Sequence, residues 1–195
     1  VSGNIKLGIP SEFSTTLMPK IIRRFTQSYP EVSLEVHCAL SKDLLCEPLK
    51  NQLDLILSLQ EMPDAEQDGY IVTDQLVWVG NQRFVNSMPE KLPLIAAPSP
   101  CIYRKRATHT LGKQKKQWQI VYTIGDLNGI QTAINEGLGI TVLAKSTVPP
   151  GLNILPPSPD LPDLGQIGVC LVNPQKVRSE AIELLAKTMV TELAT

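Results

Sequence analysis

Short segments in which apolar and polar residues alternate are separated, repeatedly, by segments whose apolar residues recur every three or four positions. A chain built this way folds as strands alternating with helices, which restricts it to α/β architectures with parallel or mixed sheets and helices on both faces. Ile5-Lys6-Leu7-Gly8-Ile9 reads as a strand running into the turn Pro10-Ser11-Glu12. Leu17, Met18, Ile21, Ile22 and Phe25 then predict a helix that Pro30 closes. The hydroxyls of Ser14 to Thr16 are placed to cap it, and Pro19 fits only in a first turn. Residues 32–38 alternate again, and Ser41 precedes a second helical pattern through Leu44, Leu45 and Leu49. Residues 53–59 form an apolar strand candidate interrupted by Asp54 and Ser58, followed by an acidic loop that ends at Gly69.

Residues 70–80 read as one long extended segment. Strands usually span about five or six residues, so a segment of this length is expected to pass from one sheet into another. Beyond it the pattern repeats, with strand candidates at 94–97, 119–123 and 140–143, a basic stretch, and a helix from Asp126 to Gly137. Six of the 16 prolines lie between Pro149 and Pro162, where missing donors and fixed φ exclude a compact helix or central strand. Residues 167–172 give a further strand. A closing helix at 180–193, with Ile182, Leu185, Met189 and Leu193 on one face, most economically rejoins the first lobe. The expected organisation is a lobe of residues 1–76 with 163–195 and a second lobe of residues 77–162, joined by two crossings. In open sheets of this kind small ligands bind beyond the carboxyl ends of the strands, where loops feed helix N-termini.

Composition excludes several functions. Eighteen Lys and Arg against 19 Asp and Glu leave a net charge of −1, so no basic field holds a phosphate backbone. No apolar run approaches the roughly 20 residues that span a bilayer. Val1-Ser2-Gly3-Asn4 lacks the basic and apolar regions of a signal peptide, and the absence of an initiator Met points to a longer parent chain or a removed leader. Cys38, Cys46, Cys101 and Cys170 lie far apart without a Cys-x-x-Cys pair and read as buried or half-buried free thiols of a reducing compartment, two disulfides being the alternative in an exported protein. His37 and His109 stand in no metal-ligand spacing, so no metal site is expected. No nucleophile elbow, Walker sequence or dinucleotide loop occurs, so neither a cofactor nor a catalytic residue is expected. Gly137-Leu138-Gly139 reads as a helix end feeding a strand. Arg104, Lys105, Arg106, Lys113, Lys115 and Lys116 read as a solvated helix face, and Trp78 and Trp118 as core residues on strands.

What recurs at the strand-to-helix junctions is a hydroxyl: Ser11, Ser14 and Thr15, then Ser58, Ser99 and Thr123. Helix capping and turns use the same residue types in the same places. Their convergence on one cleft is what makes them candidates to bind a small polar ligand.

These features, taken in order, resemble the effector-binding domain of LysR-type transcriptional regulators. The likeness is carried by Ile5-Lys6-Leu7-Gly8 followed by Leu17-Met18-Pro19, Phe25 and Tyr29-Pro30, by Leu53-Asp54-Leu55-Ile56, and by Ala133 with residues 137–143. Within that family the chain is similar to the LrhA/HexA-like group through Leu76-Val77-Trp78-Val79-Gly80, Pro98-Ser99-Pro100-Cys101, Trp118-Gln119-Ile120 and Leu161-Pro162-Asp163. The resemblance implies two Rossmann-like lobes of the type 2 periplasmic-binding-protein-like class and a small-molecule effector in the cleft. It also implies a cytoplasmic regulator whose promoter-DNA-binding winged helix-turn-helix is absent from this chain. Domains would pair antiparallel through the helix near 16–28 of one copy and that near 126–137 of the other, with a tetramer at full length.

Carried over by position, the ligand contacts are Ser11, Ser14, Thr15, Ser58, Ser99, Cys101, Thr123 and Ile124. Pro10, Glu12 and Phe13 depart from the small or hydroxyl residues many members have, which speaks against an anionic ligand at that point. The alternative function is an exported solute-binding protein with the same two-lobed cleft.

Overall fold

A computed structural model describes residues 2–176 and 178–195. The chain divides into two compact units, Val1–Thr73 with Ile167–Thr195 and Asp74–Gln166, so it passes between them twice.

The first unit starts with strand β1 (Gly3–Ile9), helix α1 (Ser11–Ser28) and strand β2 (Val32–Cys38). Two single helical turns, α2 (Ser41–Leu44) and α3 (Leu49–Gln52), lead to β3 (Leu55–Gln60). The helical pattern predicted beyond Ser41 is thus broken in two. Pro48 offers no N–H to continue a ladder from the first turn, and it stands just before α3 instead. Strand β4 (Tyr70–Gly80) begins in this unit, and β9 (Gln166–Val172) and helix α7 (Glu180–Ala194) complete it. β1 pairs in parallel with both β2 and β3, and β9 is antiparallel to β3, with Ser58 opposite Cys170. Ile5, Leu7, Ile9, Ile56 and Leu57 are fully or almost fully buried, and Phe13, Ile21 and Phe25 of α1 join the core.

α1 starts earlier than its periodicity suggested, which changes the parts played by its polar residues. Ser14, Thr15 and Thr16 lie inside the helix and do not cap it; Thr15 and Thr16 return their hydroxyls to the carbonyls of Ser11 and Glu12, each at 3.1 Å. Pro19 is in the interior of the helix, not in its first turn. It is tolerated because Pro19 and Thr15, whose carbonyl loses its helical donor, are both exposed to water. The buried stripe from Phe13 to Phe25 outweighs the lost bond.

The second unit contains the remainder of β4, a short turn α4 (Arg83–Asn86), β5 (Leu92–Ala96), α5 (Ile102–Lys113), β6 (Trp118–Thr123), α6 (Leu127–Asn135), β7 (Thr141–Ala144) and β8 (Asn153–Leu155). β5 and β6 are parallel, Ile140 at the entry to β7 bridges Leu94 in parallel, and β4 is antiparallel to both β7 and β8. The order is therefore β6-β5-β7-β4-β8. β8, three residues from the proline-rich stretch, takes an edge position, where missing donors matter least.

Asp126 caps α6, its carboxylate accepting from the Gly129 N–H at 2.8 Å. Gly137 ends that helix with φ +80°, a conformation that favours glycine. Trp78 is buried, and its indole N–H donates to the Pro162 carbonyl at 2.9 Å. Trp118, expected in the core, is 37% exposed because β6 is an edge strand.

Candidate functional site

In each unit the parallel strands end along one edge, and the candidate residues fall on those edges. In the first unit Ser11 opens α1 directly after β1, and the register Gly8↔Ile56 brings Ser58 of β3 level with Pro10. Ser58 is 5% exposed, and its hydroxyl takes no hydrogen bond from another described residue. Ser14 is half-buried. Thr15 is exposed, with its hydroxyl turned back to Ser11. Glu12 is only 9% exposed and sits in the first turn of α1 beside these hydroxyls.

Sequence reasoning passed over Ser41 as a site residue. Its hydroxyl accepts the Leu59 N–H at 3.1 Å, so the junction after β2 is tied to the end of β3. The signal was present: Ser41 is one more hydroxyl at a strand-to-helix junction.

In the second unit Ser99 and Cys101 follow β5, while Thr123 and Ile124 end β6. These strands are neighbours, with Ala96 opposite Thr123, and the Ile124 N–H donates to the Ala96 carbonyl at 3.0 Å. A Cβ on Gly125 would lie 4.0 Å from Pro98, so the two loops touch. Ser99 and Thr123 are exposed at this edge. Cys101 is buried at the N-cap of α5 and Ile124 half-buried. The Ile124 side chain packs over α6, where a Cβ on Gly129 would come within 2.1 Å of its Cδ1, so its backbone and not its side chain faces the junction.

The basic stretch differs from a purely solvated face. Arg104 donates to the Ala97 carbonyl at 3.3 Å, and Arg106 to the carbonyls of Leu164 and Gln166 at 2.7 and 3.0 Å. Lys116 pairs with Asp160 at 2.8 Å, leaving less free positive charge than the composition suggested.

No group of three or more His, Cys, Asp or Glu among the described residues is arranged to hold a metal ion. All four cysteines are free thiols. Cys38 and Cys46 are exposed, against the expectation of burial, because they lie in the β2 end and the turn between α2 and α3; Cys101 and Cys170 are buried. Burial pushes the Cys170 thiol up, with a further contribution from the Asp64 carboxylate. On β2, the hydrogen bond from His37 at 2.8 Å holds the Glu35 carboxyl below its ordinary value. No helix among the described residues is long and apolar enough to cross a membrane.

The family described as LysR substrate binding domain matches residues 1–194. The chain belongs to that family. It is 26% identical over 172 residues to the HTH-type transcriptional regulator DgdR of Burkholderia cepacia, covering 88% of this chain and 58% of that protein. With PecT of Dickeya dadantii, also an HTH-type transcriptional regulator, identity is 24% over 164 residues, covering 84% and 52%. This LysR domain thus spans little more than half the length of those relatives. Both are regulators, not exported solute-binding proteins, so the alternative function is not favoured.

Solved structures agree on the fold. The regulatory domain of CcmR from Synechocystis PCC6803, in complex with 2-PG, superposes with a TM-score of 0.74 at 17% identity over 97% of each chain. The regulatory domain of a HypT M206Q mutant from Salmonella typhimurium gives a TM-score of 0.76 at 14% identity, again over 97% of each chain. The LysR domain therefore has the type 2 periplasmic-binding-protein-like fold.

Proposed function

We propose that this LysR domain is the effector-sensing and pairing part of a cytoplasmic transcriptional regulator, without catalytic activity of its own. A winged helix-turn-helix elsewhere in the full-length protein would bind promoter DNA. The observation that carries the reading is the placement of hydroxyls toward the carboxyl ends of parallel strands in both units: Ser11 and Ser58 in one, with Ser14 and Thr15 just inside α1, and Ser99 and Thr123 in the other, with Cys101 and Ile124 at the same junctions. A ligand held by both sets favours one arrangement of the lobes over the other. Through domain pairing it then changes the spacing of the DNA-binding heads. A ligand with equal affinity for both arrangements shifts nothing.

The ligand fits a small polar molecule. Glu12, buried in the first turn of α1 beside Ser11, supports a neutral or cationic group there in preference to an anion. Within the family we place the chain with the LrhA/HexA-like group, on Trp78 with its neighbours and the loop Pro98-Ser99-Pro100-Cys101.

A metabolite library screened by thermal shift finds compounds that raise the Tm of the chain, and the best is then titrated by calorimetry into the wild type, Ser99→Ala and Thr123→Ala. Each substitution is expected to weaken binding about fivefold to tenfold, the worth of one hydrogen bond. Both residues are exposed, so the ligand-free Tm stays where it was. Unchanged affinity in both variants removes them from the site.

A further inference from the structure

Beneath α5, inside the second unit, lies a cavity of about 30 Å³. Leu94, Ala96, Cys101, Ala107, Ile130 and Val142 are among the side chains that line it. Small residues make the void: Ala96 and Ala97 on the β5 side and Ala107 on the helix leave unfilled what larger side chains would occupy. Protein interiors tolerate few such gaps, because every one forfeits contact on its walls.

Water is a poor occupant. Four polar side chains reach the lining and none is free: Thr141 donates to the Ile95 carbonyl at 2.6 Å and Arg104 to the Ala97 carbonyl, and Cys101 and Tyr103 have partners of their own. A buried water needs two to four polar partners, and apolar cavities without them stay dry. The space suits one or two carbon atoms. Its position also matters: Ala97 and Cys101, both on its wall, bracket Ser99 in sequence, and Ser99 shares the strand ends with Thr123.

We infer that this cavity is the receptor for a methyl- or ethyl-sized apolar group of the effector, whose polar part is held by Ser99 and Thr123. The inference rests on the effector-binding reading and narrows it to a class: small polar molecules that carry a short, uncharged aliphatic group. Each carbon buried there tightens binding about fourfold.

Xenon is the first probe, since it needs no polar partner, and its binding is read on the ¹³C-methyl resonances of Leu94 and Ile130. Saturable shifts are expected in the wild type, and their loss in Ala107→Val, which fills the void from the helix. Ala96→Val fills it from the strand if the first variant does not fold. Xenon that leaves these methyls unmoved overturns the inference, and so does xenon binding that survives the filling substitution in a folded variant.

The second probe is a set of pairs differing by one methyl group: glycine and alanine, glycolate and lactate, ethanolamine and 1-amino-2-propanol. The longer member of a binding pair is expected to bind about fourfold more tightly and to lose that advantage, and no more, in Ala107→Val. Equal binding of both members overturns the inference. Xenon binding together with a metabolite screen that yields no ligand counts against the effector reading and upholds the cavity as an apolar site.

Discussion

Four cysteines of one chemistry occupy two environments, and reactivity follows environment. Thiolate is the reacting form, so burial suppresses both its population and its access. Cys38 and Cys46 are exposed, whereas Cys170 is buried with its thiol pushed up. Iodoacetamide at pH 8 is expected to label Cys38 and Cys46 at least about tenfold faster than Cys170 in the native chain, as read by peptide mass spectrometry; equal rates would contradict the burial. Glu35 and His37 behave differently because both lie on the exposed strand β2. Glu35 is depressed, so what the pair contributes is present above the ordinary carboxylate value and is lost as pH falls through the folded one. Full exposure makes that contribution small. His37→Ala is expected to return the Glu35 carboxyl upward in a ¹³C titration while leaving the neutral-pH Tm unchanged. The two tryptophans show what residue type alone hides: both sit on strands, but Trp78 lies on β4, paired with both β7 and β8, and Trp118 on an edge strand. Sequence alternation identifies the strand, and only pairing order decides which of its faces is covered.

Elements were legible where periodicity was long and uninterrupted. β1, β2, β4 and α7 lie close to where their alternation or helical spacing put them, because each buries one face and the pattern records that face. The misreadings occur at prolines, whose local effect yields to tertiary packing. Pro48 divides a helical pattern in two, while Pro19 leaves α1 intact because six buried residues hold it. Pro19→Ala restores a donor to the Thr15 carbonyl and is expected to stabilise the chain by about 1–2 kcal/mol, the helix-interior cost of proline less its benefit in the unfolded state. Urea denaturation measures this, and destabilisation would mean that the ring itself is packed. α5 was harder to read: only Tyr103, Ala107 and Leu111 of its twelve residues are buried, so its apolar stripe is thin. What holds it also includes Arg106, reaching the carbonyls of Leu164 and of Gln166, the first residue of β9. Arg106→Ala is expected to cost about 1–2 kcal/mol and to raise amide exchange near Gly165. Lys at this position, a single-point donor without the planar fork, restores only part of that loss.

At the scale of the whole molecule, the sequence marks candidate hydroxyls at junctions but no surface, because the candidates come from four junctions spread between residues 11 and 124, some in each unit. Ser41 was missed for the same reason: its link to Leu59 joins residues 18 positions apart. The assembly proposed for the domain would draw on a different feature, exposed apolar side chains. Ile22 of α1 is 48% exposed, with Lys20 and Arg23 exposed beside it, and Leu138, just beyond α6, is 44% exposed next to the exposed Glu136. The proposed antiparallel pairing of the helix near 16–28 with that near 126–137 would cover both apolar side chains and set the basic flank of one copy against an acid of the other. Ile22→Asp places a carboxylate in the centre of that contact, where burying an unpaired charge is prohibitive. Sedimentation is expected to find the wild-type chain dimeric and the variant monomeric, with the same far-UV circular dichroism, since Ile22 contributes little to the core of its own unit. A variant that still dimerises would move the contact away from α1. The proposed route from an effector to the DNA-binding heads would then need a different helix to carry it.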